Sequence, residues 1–482
     1  MTRSIRRYAA WAVLLMGCTS QPFCDFHDTA PIVVMPVPDN YLSGGSFGSV
    51  MIPLRMNHQD TDLLGDYVAV TAGPGSQVEV IRVALGDEMT LARSPQLTGI
   101  CDNDAVSDTD STCYERRSGA GLAYRSTWED GEQCLVVGMH GHDRDPGIGF
   151  WCALGMEHAN EAFFLASIGD LPVLTLAYVT EPRERVFIGT ERSLQVLEGD
   201  RHSIDSVTWE SEDDLPADTE DVVVMATIES DEVDAGYLLA IGYPALQRVL
   251  IGSVSDATEG SATLTPHACI ASDVPRFGGV VELARLRPDG PVMLLTGFAW
   301  EDRQDVIDPA VAMYELELSE PPDTVTCESL APTWTLACDP TLAEVEGVDC
   351  TVGESGFGAA LDVGNIDDTA DLEVIVGCPG CEADGYEKAG AAFVYRPSSP
   401  ISGTDVLAVL VDSIEDRGNH RLGSGVLIAQ VGDRPEPILA APGVERLLMF
   451  LCTGVGDAPP LWDSPYSEGG SLEDRRCRRP ER

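Results

Sequence analysis

The chain has 482 residues, with 79 acidic and 30 basic side chains and a formal net charge of −49. A surface of that sign repels DNA, RNA and anionic lipid headgroups, which argues against nucleic-acid partners and favours divalent cations or basic ones. Lys388 is the only lysine, so arginine supplies nearly all the positive charge; the same acidity also serves solubility without any binding role.

In chain order, the first element is a leader. Arg3, Arg6 and Arg7 precede a short apolar run at residues 8–16, which ends at Gly17-Cys18. A basic head followed by a short apolar run is the layout of an export signal, and the run is too short to span a bilayer. Leu15-Met16-Gly17-Cys18 resembles the lipobox of bacterial lipoproteins. That resemblance implies a cleaved signal peptide at residues 1–17 and acyl chains, palmitate among them, on Cys18. It also implies a mature protein anchored to a membrane of the bacterial cell envelope, at the outer membrane or cell surface. A plain secretory leader with a coincidental cysteine is the alternative. Residues 18–45, rich in Pro, Asp, Ser and Gly, read as a tether.

Fourteen cysteines are present, and setting Cys18 aside leaves an odd number. An exported protein pairs most of its thiols. Close spacings mark local candidates: Cys101 with Cys113, Cys134 with Cys152, Cys338 with Cys350, and Cys378 with Cys381. Cys378-Pro-Gly-Cys381 has no helical pattern after it to depress a thiol pKa, so a structural disulfide is expected rather than a redox centre.

The body, residues 46–460, reads as all-β. Short β-branched and aromatic runs alternate with Gly, Pro and Asp turns. Only residues 156–164 (MEHANEAFF) and 331–337 (APTWTLA) read as possible helical turns. A unit of three short strands recurs with starts near 47, 119, 161, 222, 278, 356 and 422. Such units cannot each bury a core alone, and closure into a ring removes their free edges. The expectation is a seven-bladed β-propeller, with tandem β-sandwiches as the alternative. Residues 461–482 form a polar tail ending in a basic run.

Two units carry a more specific pattern. Phe47-Gly48 and Phe357-Gly358 open them, acidic loops follow, and Ala72-Gly73-Pro74 and Gly377-Cys378-Pro379 end their second strands. These units resemble FG-GAP repeats, the repeats of the integrin α-subunit propeller. The resemblance implies a calcium loop with oxygen ligands at alternating positions. Asp362, Asn365, Asp367 and Asp371 stand there in one unit, and Asn57, Asp60, Asp62 and Asp66 share their spacing in the other. Hard oxygen donors on a loop suit calcium better than magnesium. Both copies depart from the family at the first ligand, and both lack its glycine. Solvated turn acids are the alternative reading.

No P-loop, zinc-protease motif or dinucleotide fingerprint occurs. The close cluster His140-Gly-His142-Asp143-Arg144-Asp145 reads as a polar loop. By analogy with integrin-type propellers, the expected function is a membrane-anchored binding or adhesion module that presents loops to an extracellular or envelope protein or glycan. A structural envelope scaffold is a second possibility, and a hydrolase of polysaccharide or phospholipid a third; a propeller fold alone does not decide among them.

Overall fold

The computed structural model describes the strands named below and, over residues 224–450, most of the chain that connects them; residues 1–31, 451–482 and several loops lie outside the described residues. Strand β1 is Ile32–Pro36. Strands β2 (Met51–Asn57), β3 (Leu64–Ala72) and β4 (Gln77–Val83) form a three-stranded meander. Strands β5 (Arg116–Arg125), β6 (Cys134–Gly141), β7 (Gly147–Cys152) and β8 (Ala162–Ser167) form a four-stranded sheet.

Two further meanders follow. The first has β9 (Val173–Val179), β10 (Arg185–Thr190), β11 (Leu194–Glu198) and β12 (Ile204–Trp209). The second has β13 (Val224–Glu229), β14 (Tyr237–Tyr243), β15 (Arg248–Val254) and β16 (Ser261–Ala271). They are one continuous sheet, because β12 runs parallel to β16 from Ser206↔Ser261 to Trp209↔Leu264.

Next come β17 (Phe277–Ala284), β18 (Met293–Phe298), β19 (Ala310–Glu315), β20 (Glu328–Ser329) and β21 (Trp334–Ala337). Strand β20 pairs with the far end of β16 as the ninth strand of the large sheet, and the other four form their own sheet. Then β22 (Val348–Asp349), β23 (Leu361–Gly364), β24 (Glu373–Cys378), β25 (Glu382–Ala383), β26 (Ala391–Tyr395) and β27 (Val406–Leu410) appear. Of these, β23, β24, β26 and β27 form a four-stranded sheet. The last strands are β28 (Gly425–Val431), β29 (Arg434–Ala441) and β30 (Arg446–Met449).

Strand β1 pairs antiparallel with β30, so residues near the two ends of the chain share one sheet. This is a correction to the tether expected at 18–45: the apolar run IVVMP, flanked by prolines, is sheet. The leading strands β5, β9, β13, β17, β23 and β28 touch in succession, and β2 completes the circle between β28 and β5. The chain is a β-propeller whose ring is closed by a strand from near its beginning, which covers edges that an open stack would leave bare.

Seven equal blades do not form. Among the described residues five sheets have four or more strands, and these are the blades. The units expected at 161 and 222 merge through the β12–β16 pairing, and the unit at 47 contributes three strands among the described residues. Strand β8, expected to open the unit at 161, is instead the last strand of the preceding sheet. The two expected helical turns are corrected as well, since residues 162–164 lie in β8 and residues 334–337 form β21. Strand pairing overrode a local helical preference in both.

The core lies between sheets. One apolar layer joins Leu238, Ala240 and Ile251 to Phe277, Leu283, Leu294 and Tyr314 across neighbouring sheets. The next joins Met293, Leu295 and Met313 to Phe357, Val376 and Phe393, and a third joins Ile375 and Val394 to Leu439 and Leu448. Second and third strands are therefore covered on both faces: every residue of β10, β24 and β26 is buried. That is why they read as continuous apolar runs rather than as alternating ones. Each fully buried aliphatic side chain contributes roughly 1.5–3 kcal/mol.

The Phe-Gly turns join one sheet to the next. Gly278, Gly358 and Gly423 have φ of 84°, 90° and 85°, a region that favours glycine. The residues before them, Phe277, Phe357 and Leu422, are buried. Each turn glycine lies against a second-strand glycine of the preceding unit: Gly278 against Gly242, Gly358 against Gly297, and Gly423 against Gly377. Phe47-Gly48 lies outside the described residues.

Candidate functional site

The leading strands line the inner side of the ring, where propellers have their channel. Strand β17 (FGGVVELA) has one charged residue, Glu282; β23 (LDVG) has one, Asp362; β28 (GVLIAQV) has none. Asp362 accepts the Val363 N–H at 2.9 Å through Oδ1, and through Oδ2 it accepts the N–H of Ile428 in β28. Its side chain thus bridges two units. Gly364 permits the approach, because a Cβ there would collide with the Ile428 side chain.

Burial pushes the Asp362 carboxyl up to about 7, against the pull of the two backbone N–H groups. Burial, and then the negative charge of Asp362, pushes Glu282 up to about 8. Both side chains are half-buried. Burial, more than the charge of either on the other, leaves both groups holding protons near neutrality.

A third acid stands at the start of β24. Glu373 is fully buried and accepts the Ile366 N–H at 2.8 Å, with Arg396 Nε 3.6 Å from its other oxygen. Burial pushes Glu373 up to about 7; backbone hydrogen bonds, that from Ile366 first, oppose this, and the charge of Asp371 adds to it. The loop between β23 and β24 is also tied to the preceding unit: Leu372 N–H donates to the Leu286 carbonyl, and Arg287 Nε lies 4.0 Å from Asp371.

Three of the expected calcium ligands of this loop lie among the described residues. Asp362 faces the following unit, Asn365 lies just beyond β23, and Asp371 sits near the surface beside Arg287. Asp367 lies outside the described residues. In the other loop, Asn57 and Asp66 fall in β2 and β3, opposite Leu64 and Arg55, with their side chains outside the described residues. Asp60, Asp62 and the lipidation site Cys18 also lie outside the described residues. Among the described residues no three His, Cys, Asp or Glu side chains group as a metal site.

Cysteines follow the sequence more closely. Cys338–Cys350 and Cys378–Cys381 are disulfides, as their spacing implied. Cys134 and Cys152 are register partners in β6 and β7, with side chains outside the described residues, as are Cys101 and Cys113 entirely. A further disulfide, Cys269–Cys327, spans 58 residues and pins the segment before β20 to β16; its spacing offers no clue.

Sequence reasoning also missed two buried polar groups. Arg185 donates to the Tyr237 hydroxyl and the Val254 carbonyl, both at 2.7 Å, and pairs with Glu198 at 2.9 Å. His420 Nδ1 lies 3.0 Å from Asp412 Oδ2, both buried. The available signal for Arg185 was a charge heading the apolar run RVFIG; His420 stands in the polar stretch GNHR, which offered none.

No family model and no curated protein match the chain. Solved structures do. Raptor from Chaetomium thermophilum is similar at 12% identity and a TM-score of 0.46, over 86% of this chain but only 29% of that one. Sqt1 from Chaetomium thermophilum is similar at 11% identity and a TM-score of 0.42, over 80% of each chain. A chain of apo ctPRC2 in an autoinhibited state is similar at 8% identity and a TM-score of 0.52, over 89% of this chain and 99% of that one. At these identities the likeness is one of fold alone.

Proposed function

We propose that this chain is an exported β-propeller, anchored to a bacterial envelope membrane through lipid on Cys18, that binds a protein or glycan with the loops at one face of its ring. The observation that carries export is the set of three disulfides among the described residues, Cys269–Cys327, Cys338–Cys350 and Cys378–Cys381. Disulfides persist in oxidising compartments and are rare in the cytosol. The leader ending at Cys18 agrees with that placement. The binding role is supported by the architecture: a ring closed by β1 holds its loops on a stiff frame, and loops on rigid scaffolds carry recognition. Membership of the FG-GAP class is supported by the Phe357-Gly358 turn, buried at a sheet junction and echoed at Phe277-Gly278.

Two measurements test this. Metabolic labelling with a tagged fatty acid should mark the full chain and not the Cys18→Ala variant, and external protease should reach the body in intact cells with a permeabilised outer layer. Affinity capture from envelope extract, followed by binding to the purified candidate, should give saturable, reversible association without turnover. Cytosolic, unlabelled protein would overturn the anchoring. Steady turnover of a polysaccharide or phospholipid by the pure chain would overturn the binding role.

A further inference from the structure

We propose that residues 326–332 are a cap on the outer edge of β16, held there by the Cys269–Cys327 disulfide and released when a dithiol reductant opens that bond. The outer edge of β16 is covered in two parts. Strand β12 runs along its first residues, from Ser261 to Leu264, and β20 along its last two, Ile270 and Ala271. Side-chain packing does little to hold the second cover. Of the cap's residues only Cys327 is half-buried; the rest, Glu328 and Ser329 of β20 among them, are exposed, and Leu330 is 46% exposed.

The two ends of the cap are fixed independently of β16's edge. Val325, just before it, packs against the core of the large sheet. Just after it, Thr333 N–H donates to the Met313 carbonyl at 2.8 Å, and the Thr333 hydroxyl accepts the Glu315 N–H at 3.0 Å. Between these anchors the cap is joined to β16 by the two residue pairs Ile270↔Glu328 and Ala271↔Ser329 and by the disulfide. So short and exposed a ladder opens readily by itself. The disulfide is what keeps it closed.

The bond is reachable from one side. Cys269 is 7% exposed and belongs to the core, whereas Cys327 is half-buried, and exchange follows access to the sulfur that is attacked. A thiolate of the reductant attacks Cys327 Sγ, the bond to Cys269 breaks, and Cys269 leaves as a thiolate that takes up a proton. The second thiol of the reductant then attacks the mixed disulfide and releases Cys327. Both cysteines end as thiols and the dithiol as a disulfide. The Cys378–Cys381 bond provides the contrast, since both its cysteines are fully buried. With the cap released, Ile270 and Ala271 lose their partner strand, and a bare edge is where a sheet takes up an extended segment.

The test uses the full chain with its free thiols blocked by N-ethylmaleimide. Mild dithiothreitol followed by iodoacetamide should label Cys269 and Cys327 while Cys378 and Cys381 stay bonded, read by mass spectrometry. A glutamate-specific protease should then cut after Glu328 at least about tenfold faster than in the oxidised chain, with β14 and β15 still intact. Cys269→Ser with Cys327→Ser should be cut at the fast rate with or without reductant; should that variant fail to fold, the reduced and alkylated wild type carries the test. Equal cutting after Glu328 in oxidised and reduced chains would overturn the proposal. So would opening of Cys378–Cys381 first, or loss of β14 and β15 together with the cap, which would make the bond a staple of the whole fold.

Discussion

The carbonyl of Gly358 occupies the space that a Cβ on residue 297 would need. Gly297 belongs to the second strand of one unit, and Gly358 to the turn that opens the next. The same contact joins Gly242 to Gly278 and Gly377 to Gly423, so three successive junctions share one device. The obstacle at each is backbone, which cannot rotate away as a side-chain tip can. Gly297→Ala and Gly377→Ala should each cost about 1–3 kcal/mol, the usual range for overpacking. Gly418, with nothing within 4 Å of a built Cβ, is the control; Gly418→Ala should be neutral or slightly stabilising. Urea midpoints of the three variants decide it.

The buried acids set the direction of the pH response. Glu282 titrates at about 8 and Asp362 and Glu373 at about 7, all above their unfolded range near 4. The folded state therefore binds more protons than the unfolded state between about pH 4 and pH 8. Their contribution is fully present below pH 4 and is lost as pH rises through 7 to 8. Urea midpoints should fall from pH 5.5 to pH 8.5. Glu282→Gln, which removes one titrating group and keeps its shape, should shrink that fall. An equal fall in wild type and variant would assign the effect to general charge repulsion.

Arg185 is 3% exposed and pairs with the buried Glu198 while donating to Tyr237 and Val254. It links the two meanders of the large sheet from within. Arg185→Met would strand the Glu198 charge and should cost about 3–5 kcal/mol. Pairing it with Glu198→Gln should restore part of that loss. Denaturation of Arg185→Met, Glu198→Gln and the double variant gives the coupling.

Disulfide loss should scale with the loop that each bond closes. Cys269–Cys327 spans 58 residues and Cys338–Cys350 spans 12. Chain entropy gives about 4 kcal/mol for the first and about 3 for the second. Replacing Cys269 and Cys327 by Ala should therefore lower the melting midpoint more than replacing Cys338 and Cys350. A reversed order would show that native packing, not loop entropy, dominates.

Closure of the ring depends on β1, whose Val33 is the register partner of Leu448 in β30. Val33→Pro should weaken that strand, since proline cannot donate to the ladder. Limited proteolysis of the variant should cut near β30 before the interior strands.

Strand identity was legible in sequence wherever burial wrote it as an apolar run. LEVIVG and RVFIG are such runs, and they are β24 and β10. The Phe-Gly turns were legible as punctuation because only glycine accepts their positive φ. Their role was not, since the partner glycine lies about 36–61 residues away in the preceding unit, and chain distance conceals it.

Asp362 shows the limit most clearly. Its type and spacing marked it as a loop ligand, yet the fold places it in β23 with Ile428 as its partner across 66 residues. The number of blades was beyond local reading for a related reason: a repeat in the sequence marks a meander, whereas merging through β12 and β16 depends on how outer edges meet.

The sequence by itself determined an all-β chain of recurring meanders and its net acidity, and marked Cys338 with Cys350 and Cys378 with Cys381 as candidate pairs, because those follow from local pattern and composition. The tertiary structure alone decided that Ile32–Pro36 closes the ring, that Cys269 meets Cys327, and that Asp362 and Glu373 turn inward to backbone N–H groups. Each of these depends on segments brought together from afar, where burial makes an unsatisfied carboxylate or a bare edge too costly to leave unpartnered.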